Sequence, residues 1–423
     1  MKTALRFTPE FWSWIEKNRN QNVNKLRLAY GKEKTLQGID VQQAITQIEC
    51  RQRFGKKISR TLELFPHFYF PDILSGEQAT SDLLARFHAQ LFNSDDFVVD
   101  LTSGLGIDCF HIARQVRKIT AIERDNAKAV ALKYNAEGLN LNNITVIDGD
   151  CRDIVMHIEE GVGQNAAFID PARRNPMNGN RIFALSECEP DVQEIIPLLK
   201  ERNFVKLVIK ASPMLDISQT FSEIQCARDI FAIGTTTECK ELVICCDLTN
   251  THLSPAKIHA VTVHSDNTFS DFSFTKDDET NALPIFSDKA PQKGDLLYVP
   301  FPSTMKAAPV KLLSQHFSLY KFHNNTHLYY SNSGNIRKDF PGEILIIEDV
   351  ISWQSKNLKR FKNLYPNVSV SVRNFGMTAQ TLSSRLGVKE GGNSGLRLFG
   401  VGLGDNHTDR LLIVTRAMQT YPK

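Results

Sequence analysis

No stretch of the 423-residue chain approaches the roughly 20 consecutive apolar residues of a membrane span. Met1-Lys-Thr-Ala-Leu-Arg6 lacks the apolar run of a signal peptide, so the expectation is a cytoplasmic protein with no membrane partner. The eight cysteines fall at 50, 109, 151, 188, 226, 239, 245 and 246 and make no C-x-x-C pair. That spacing indicates neither a disulfide framework nor a zinc site, and no metal is expected. The net charge of +3 is too small to identify nucleic acid as a partner by itself. There is no internal repeat and no low-complexity tract.

Against these absences stands Asp100-Leu-Thr-Ser-Gly-Leu-Gly-Ile-Asp108. It follows the apolar Phe97-Val98-Val99 and precedes a helix-like stretch, Cys109 to Val116. Strand, glycine turn and helix N-terminus in that order form the ligand-binding corner of an open α/β sheet. Gly104 and Gly106 let the backbone approach a ligand closely. The third glycine of a dinucleotide fingerprint is missing, and Asp100 sits at the strand end. Its carboxylate would repel a pyrophosphate and attract a cationic amino-acid group. The ligand suited to this corner is S-adenosylmethionine, with Asp100, Thr102, Ser103, Gly104, Gly106 and Asp108 as candidate contacts.

Later landmarks extend the pattern. Lys118 to Ile122 reads as a second strand closed by Glu123, an acid able to accept both ribose hydroxyls. Asn126 to Gly138 has helical spacing, with Gly138 as its stop. A third strand, Ile144 to Ile147, leads to Asp148-Gly149-Asp150. There Asp150 can accept from an adenine amino group and the Cys151 backbone N–H can meet the ring edge; the plainer reading of Asp150 is a helix cap. A fourth strand, Ala166 to Ile169, ends in Asp170-Pro171-Ala172-Arg173-Arg174.

These segments resemble motifs I to IV of class I S-adenosylmethionine-dependent methyltransferases. More narrowly, the chain resembles a bacterial family that joins this fold to a C-terminal THUMP-like domain. Phe70 to Asp82, Leu297 to Pro302 with Lys306-Ala307, Val368 to Phe375, Leu382 to Gly387 and Gly395 to Gly400 carry that match. The resemblance implies an α/β fold with a Rossmann-like, seven-stranded core. It also implies S-adenosylmethionine binding and an RNA substrate, tRNA or rRNA.

The organisation expected is a helical N-terminal domain over 1–92, a methyltransferase domain over 93–275, a small α+β, ferredoxin-like domain over 277–340 and a THUMP-like domain over 341–423. Glu241 to Cys245 and Lys257 to Val263 read as a closing hairpin of the sheet, and Ser265 to Lys276 as a polar connection. Gly395 to Arg416 reads as a hairpin with Gly404-Asp405-Asn406 in its turn. From Pro341 onward there are eleven basic against six acidic residues. A second basic cluster, Arg51, Arg53, Lys56, Lys57 and Arg60, surrounds Phe54. Both suit phosphate contacts, though a solvated helix face explains the second equally well.

The chemistry is expected at Asp170 and Pro171. Methyl transfer is an in-line displacement, so the protein mainly aligns nucleophile and methyl. Asp170 can accept an N–H of an exocyclic amine, and Pro171 stiffens the loop without offering a competing donor. Amino-group methyltransferases carry an aromatic residue here; Arg173 stands in its place, so Arg173, Arg174 and Gln78 are the candidate substrate contacts. Methylation of a pyrimidine carbon needs a cysteine nucleophile, for which Cys188 is the only nearby candidate. A nitrogen of an RNA base is therefore the favoured acceptor. The alternatives are a non-catalytic RNA-binding protein that keeps the cofactor fold and, third, a nicotinamide-linked oxidoreductase.

Overall fold

The computed structural model describes residues 7–33, 35–36, 38–158, 163–173, 185–249, 254–334, 336–389, 395–404 and 409–418. The chain folds as two compact units, one of Met1–Ala211 with Ser218–Ala227 and Ile244–Leu253, the other of the remaining residues.

In the first unit, capped helices precede the sheet. Thr8, Asn22 and Asp40 each accept a backbone N–H at the start of Pro9–Asn18, Val23–Tyr30 and Val41–Phe54. Their apolar faces close on one another through Phe11, Trp12, Ile15, Leu26, Val41, Ile45 and Ile48. Full burial stabilises each large side chain by about 1.5–3 kcal/mol. The extended Phe68–Phe70 stretch has no strand neighbour, and two side-chain amides satisfy its backbone instead. Gln47 donates to the Phe70 carbonyl at 2.7 Å and accepts from its N–H at 2.9 Å. Asn135 does the same for Tyr69, at 2.9 and 2.7 Å. This clamp delivers the following segment to the sheet: Asp72 caps Ile73–Gln78, and Ser81 caps Asp82–Ala89.

The sheet is built of Phe97–Asp100, Lys118–Glu123, Ile144–Asp148, Asn165–Ile169 and Lys206–Ala211, all parallel. Their order runs third, second, first, fourth, fifth, with the Ile244–Asp247 end of a further strand beyond the fifth. The chain reverses its direction of travel between the first and fourth strands. Such a switch point opens a crevice at the carboxyl ends of the strands. Helix Asn126–Gly138 has the limits the pattern predicts, because Asp125 caps it and Gly138 lies against the Phe65 ring.

In the second unit the expected closing hairpin is absent. Cys239–Asp247 turns back on Ala227–Thr235 through a Thr235 N–H to Glu238 carbonyl bond of 2.8 Å. Lys257–Val263 instead runs parallel to Ala227–Thr235. The stretch read as a polar connection is the strand Phe269–Thr275, antiparallel to Lys257–Val263. Its Ser270, Asp271 and Ser273 give it a loop-like composition, while Phe274 is buried. An eight-stranded sheet follows, ordered 285–286, 320–323, 326–331, 296–300, 342–352, 410–417, 396–402, 369–373. Leu396–Gly402 and Arg410–Ala417 form the expected antiparallel pair, and Asp405 and Asn406 of its turn lie outside the described residues.

Candidate active site

At the carboxyl ends of the first unit's strands lies a cavity of about 640 Å3. Asp100 to Asp108, Glu123, Asp150, Cys151, Asp170, Pro171 and Gln78 all line it. The structure thus brings together every site residue expected from the sequence except two. The side chain of Arg173 and the whole of Arg174 lie outside what is described.

The glycine turn is shaped by its own backbone. Gly104 has φ +55° and a Cβ there would meet nothing within 4 Å, so it is open to a ligand. Gly106 has φ +91° and is packed: a Cβ would come within 2.2 Å of Leu132 Cδ1. Glu123 holds the turn from the second strand, its Oε2 accepting from the Gly104 N–H at 2.8 Å. Its Oε1 accepts from the Asp125 N–H at 2.8 Å. Each carboxylate oxygen still has a second lone pair for a ribose hydroxyl.

Asp100 is 1% exposed. Its Oδ1 accepts a 3.2 Å bond from the Thr102 N–H, while its buried Oδ2 has no partner. Burial, with the charges of Asp108 and Asp170 nearby, pushes this carboxyl up to about 8. An orphaned acid in a cavity wall is a seat for a cationic group, which would pair with the ionised form.

Other expected contacts are engaged by the protein itself. The Thr102 hydroxyl accepts from the Asp170 N–H at 2.8 Å, tying the first strand end to the fourth. Ser103 is 9% exposed, and its N–H donates to the Ile122 carbonyl at 2.9 Å. Asp108 accepts from Thr80 through Oδ2, and its Oδ1 lies 2.7 Å from Nδ1 of the fully buried His88. Against burial, which alone would raise it, His88 and Lys210 hold the Asp108 carboxyl down to about 2. Asp150 caps Cys151–Val155 and grips Arg152 with both oxygens, at 2.9 and 2.6 Å. The capping reading of Asp150 therefore describes the local geometry; reading an adenine would use lone pairs left over from Arg152.

Lys210 lines the same cavity, and the sequence reading gave it no role. Its Nζ lies 2.7 Å from Asp170 Oδ2 and donates to Thr80 Oγ1 at 2.9 Å. The available signal was its place near the carboxyl end of the fifth strand, beside the fourth. No thiol lies at those two strand ends among the described cavity-lining residues. Cys188 does not line the cavity, and burial pushes the Cys151 thiol up to about 11.

A doubly wound sheet with a glycine turn after its first strand and acids at the ends of the first, second and fourth is the fold of class I S-adenosylmethionine-dependent methyltransferases. S-adenosylmethionine is the cofactor of that class, and the unpartnered Asp100 oxygen beside the open Gly104 fits its cationic amino-acid end. The crystal structure of a proposed methyltransferase from Porphyromonas gingivalis W83 superposes on 97% of the chain and 98% of its own, with TM-score 0.83 and 26% identity. Residues 296–341 match the model of a ferredoxin-like domain and 342–417 that of a THUMP domain-like family. The chain is thus a class I methyltransferase fold joined to a C-terminal THUMP-like domain.

Two curated relatives match the chain over shorter stretches. The 23S rRNA (uracil(1939)-C(5))-methyltransferase RlmD of Vesicomyosocius okutanii is 37% identical over 83 residues, 19% of each protein. A probable cobalt-precorrin-6B C(15)-methyltransferase (decarboxylating) of Sulfurisphaera tokodaii is 30% identical over 95 residues, 22% of this chain. The chain spans about a fifth and about half of these relatives' own lengths, 19% and 48%. Among the described residues no helix is long and apolar enough to cross a membrane.

Proposed function

We propose that the protein transfers a methyl group from S-adenosylmethionine to a nitrogen of an RNA base. The observation that carries the reading is the Asp170 carboxylate. It stands at the end of the fourth strand and lines the same cavity as Asp100, Gly104 and Glu123. Asp100 receives the cofactor's ammonium, Gly104 lets its backbone come close, and Glu123 accepts from the ribose. Gly106, Thr102, Ser103 and Asp108 keep that corner in shape, and Asp150 with the Cys151 N–H meets the adenine edge. When bound, the cofactor supplies an electrophilic methyl on a sulfonium. Asp170 accepts an N–H of the acceptor amine, which orients the nitrogen lone pair and gives the released proton a place at the carboxylate. Pro171 lacks an N–H and so adds no competing donor of its own to that loop.

RNA is favoured by the THUMP-like match and by the basic balance of the C-terminal segment. We assign 1–92 as the helical domain, 93–275 as the methyltransferase domain, and 277–340 and 341–423 as the ferredoxin-like and THUMP-like domains. Arg173, Arg174 and Gln78 are assigned to substrate. A nitrogen acceptor is preferred because no cysteine of the described cavity lining stands where a pyrimidine carbon would need a nucleophile. The Asp-Pro-Ala-Arg-Arg loop, without an aromatic, favours one second reading: an RNA-binding protein that keeps the cofactor fold without catalysis. Transfer of labelled methyl to total RNA from cells lacking the protein separates the two. Label that disappears with Asp170→Ala, while cofactor binding persists, supports the enzyme. A wild-type protein that binds cofactor and labels no RNA removes this reading.

A further inference from the structure

The two basic clusters that look equal in the sequence are not equal in the structure. Near the N-terminus the charge is spent inside the protein. Arg51 donates to the Pro66 carbonyl at 3.1 Å and to the Phe68 carbonyl, with its guanidinium over the Trp12 ring. Arg53 lies 3.2 Å from Glu49 and 3.5 Å from Glu77, and Arg60 lies 3.2 Å from Glu63. Lys57 donates to the Glu77 carbonyl at 2.9 Å. The C-terminal charge has no such outlet. From 350 to 389 the sequence holds seven Lys or Arg and no Asp or Glu. Six of the seven, Lys356, Lys359, Arg360, Lys362, Arg385 and Lys389, are exposed and have no ion-pair partner among the described residues. Arg373 is the seventh, half-buried in the strand 369–373.

Helices Ser355–Leu364 and Ala379–Leu386 share one core with Val370, Leu398 and Leu412 of the sheet, through Phe361, Leu382 and Leu386. Their basic sides are left facing outward. Lys356, Lys359 and Arg360 stand at i, i+3 and i+4, one side of a helix, where like charges repel. Lys362 reaches the second helix, since a Cβ at Gly387 would lie 3.2 Å from its Cδ. Arg385, in the last turn of that helix, carries its guanidinium 5.1 Å above the Trp353 ring. A guanidinium held flat keeps its fork of donors arranged for the paired oxygens of a phosphate. We propose that this two-helix face holds the RNA by its phosphate backbone, independently of base sequence. The polyanion supplies the counter-charge that the 350–389 segment lacks and releases its own counterions in exchange. A membrane surface fits less well, because Leu358, Phe361 and Tyr365 of the first helix are packed in the core rather than free to insert. The inference rests on RNA as the partner and names where it is held.

The test uses the full chain without cofactor and two fluorescein-labelled probes, a short oligouridylate and a short RNA duplex, read by anisotropy over a range of salt. Each phosphate neutralised on a single strand contributes about 0.7 to the slope of log K against log salt. The quadruple variant Lys356→Ala, Lys359→Ala, Arg360→Ala and Lys362→Ala is expected to lower that slope by about 2 to 3 and to weaken binding at least about 30-fold. Arg385→Lys keeps its charge yet loses about threefold or more, for want of the fork. The triple variant Arg53→Ala, Lys56→Ala and Arg60→Ala stays within about twofold of the wild type. Thermal melts by circular dichroism check folding, and Lys359→Gln with Arg360→Gln is a milder variant expected to show about half the change in slope. A folded quadruple variant that binds as the wild type does overturns the proposal, as does an equal loss in the triple variant. Wild-type protein that binds neither probe overturns it too; phosphatidylserine vesicles and polyglutamate then tell whether a membrane or an acidic protein takes this face. A slope lost in the quadruple variant of a protein that methylates no RNA upholds the surface and refutes the methyltransferase reading. RNA methylation with binding undiminished in the quadruple variant does the reverse.

Discussion

The two glycines of the turn make opposite predictions although they stand two residues apart. At Gly106, an alanine must hold φ +91° and place its Cβ 2.2 Å from Leu132 Cδ1 and 2.6 Å from Phe110 Cζ. Both neighbours are fully buried, so neither can move aside freely. Backbone strain there costs about 1–3 kcal/mol and overpacking about 1–3 kcal/mol more. Gly106→Ala is expected to lose about 4 kcal/mol, a large part of a domain's usual 5–15 kcal/mol. At Gly104, φ is +55° and the new methyl enters open space. Only the left-handed backbone penalty of about 1–2 kcal/mol applies. Gly104→Ala should therefore fold while binding S-adenosylmethionine at least about tenfold more weakly, since the methyl occupies the cavity wall. Urea denaturation followed by circular dichroism, without cofactor, gives the first comparison, and calorimetric titration with cofactor gives the second. Equal losses of stability for the two variants, or unchanged cofactor affinity in Gly104→Ala, would refute the reasoning.

Two further predictions concern pH. His259 bridges Asp271 at 2.8 Å and Asp229 at 3.1 Å, and against burial these acids hold it up to about 9. Its contribution is fully present below the unfolded value of about 6.5 and is lost as pH rises through about 9. His259→Gln should cost on the order of 1–2 kcal/mol at pH 6, discounted for the partly exposed carboxylates, and little at pH 9.5. A thermal-melt difference that is the same at both pH values would be inconsistent with the ion pairs. Asp100, raised by burial to about 8, favours the folded state while protonated, and that advantage declines from about pH 4 up to about pH 8. Asp100→Asn should flatten the pH dependence of apo-protein stability, by at most about 1.4 kcal/mol per pH unit. Parallel wild-type and variant curves between pH 5 and 8 would contradict the buried, unpartnered carboxyl.

Much of the cofactor corner was legible because it is local. Phe97–Asp100, the Gly104 and Gly106 turn and the helix after it are contiguous, and each residue's conformational preference acts within a few positions. Helix Asn126–Gly138 was legible for the same reason. The strand Ala227–Thr235 and the edge strand Phe269–Thr275 were not. Pairing partners in a sheet are chosen by burial of whole faces, and an edge strand with Ser270, Asp271 and Ser273 on it has the composition of a loop. The same limit produced the misread hairpin. Two apolar runs near each other in sequence need not pair, and Lys257–Val263 found its neighbour in Ala227–Thr235.

The sequence by itself determined an α/β sheet with acids at its strand ends and a turn suited to a cationic, phosphate-free cofactor. Only the tertiary structure decided which of those acids are free to meet a ligand. Asp108 and Asp150 look alike in the sequence, but one is spent on Thr80 and His88 and the other on Arg152. It alone brought Lys210 to Thr80, 130 positions away, and to Asp170, 40 positions away. The physical reason is the parallel crossover, which carries the chain back so that the five parallel strands of the first unit end at the same edge. Groups remote in sequence then share one cavity, where burial and neighbouring charge, rather than residue type, set what each can do.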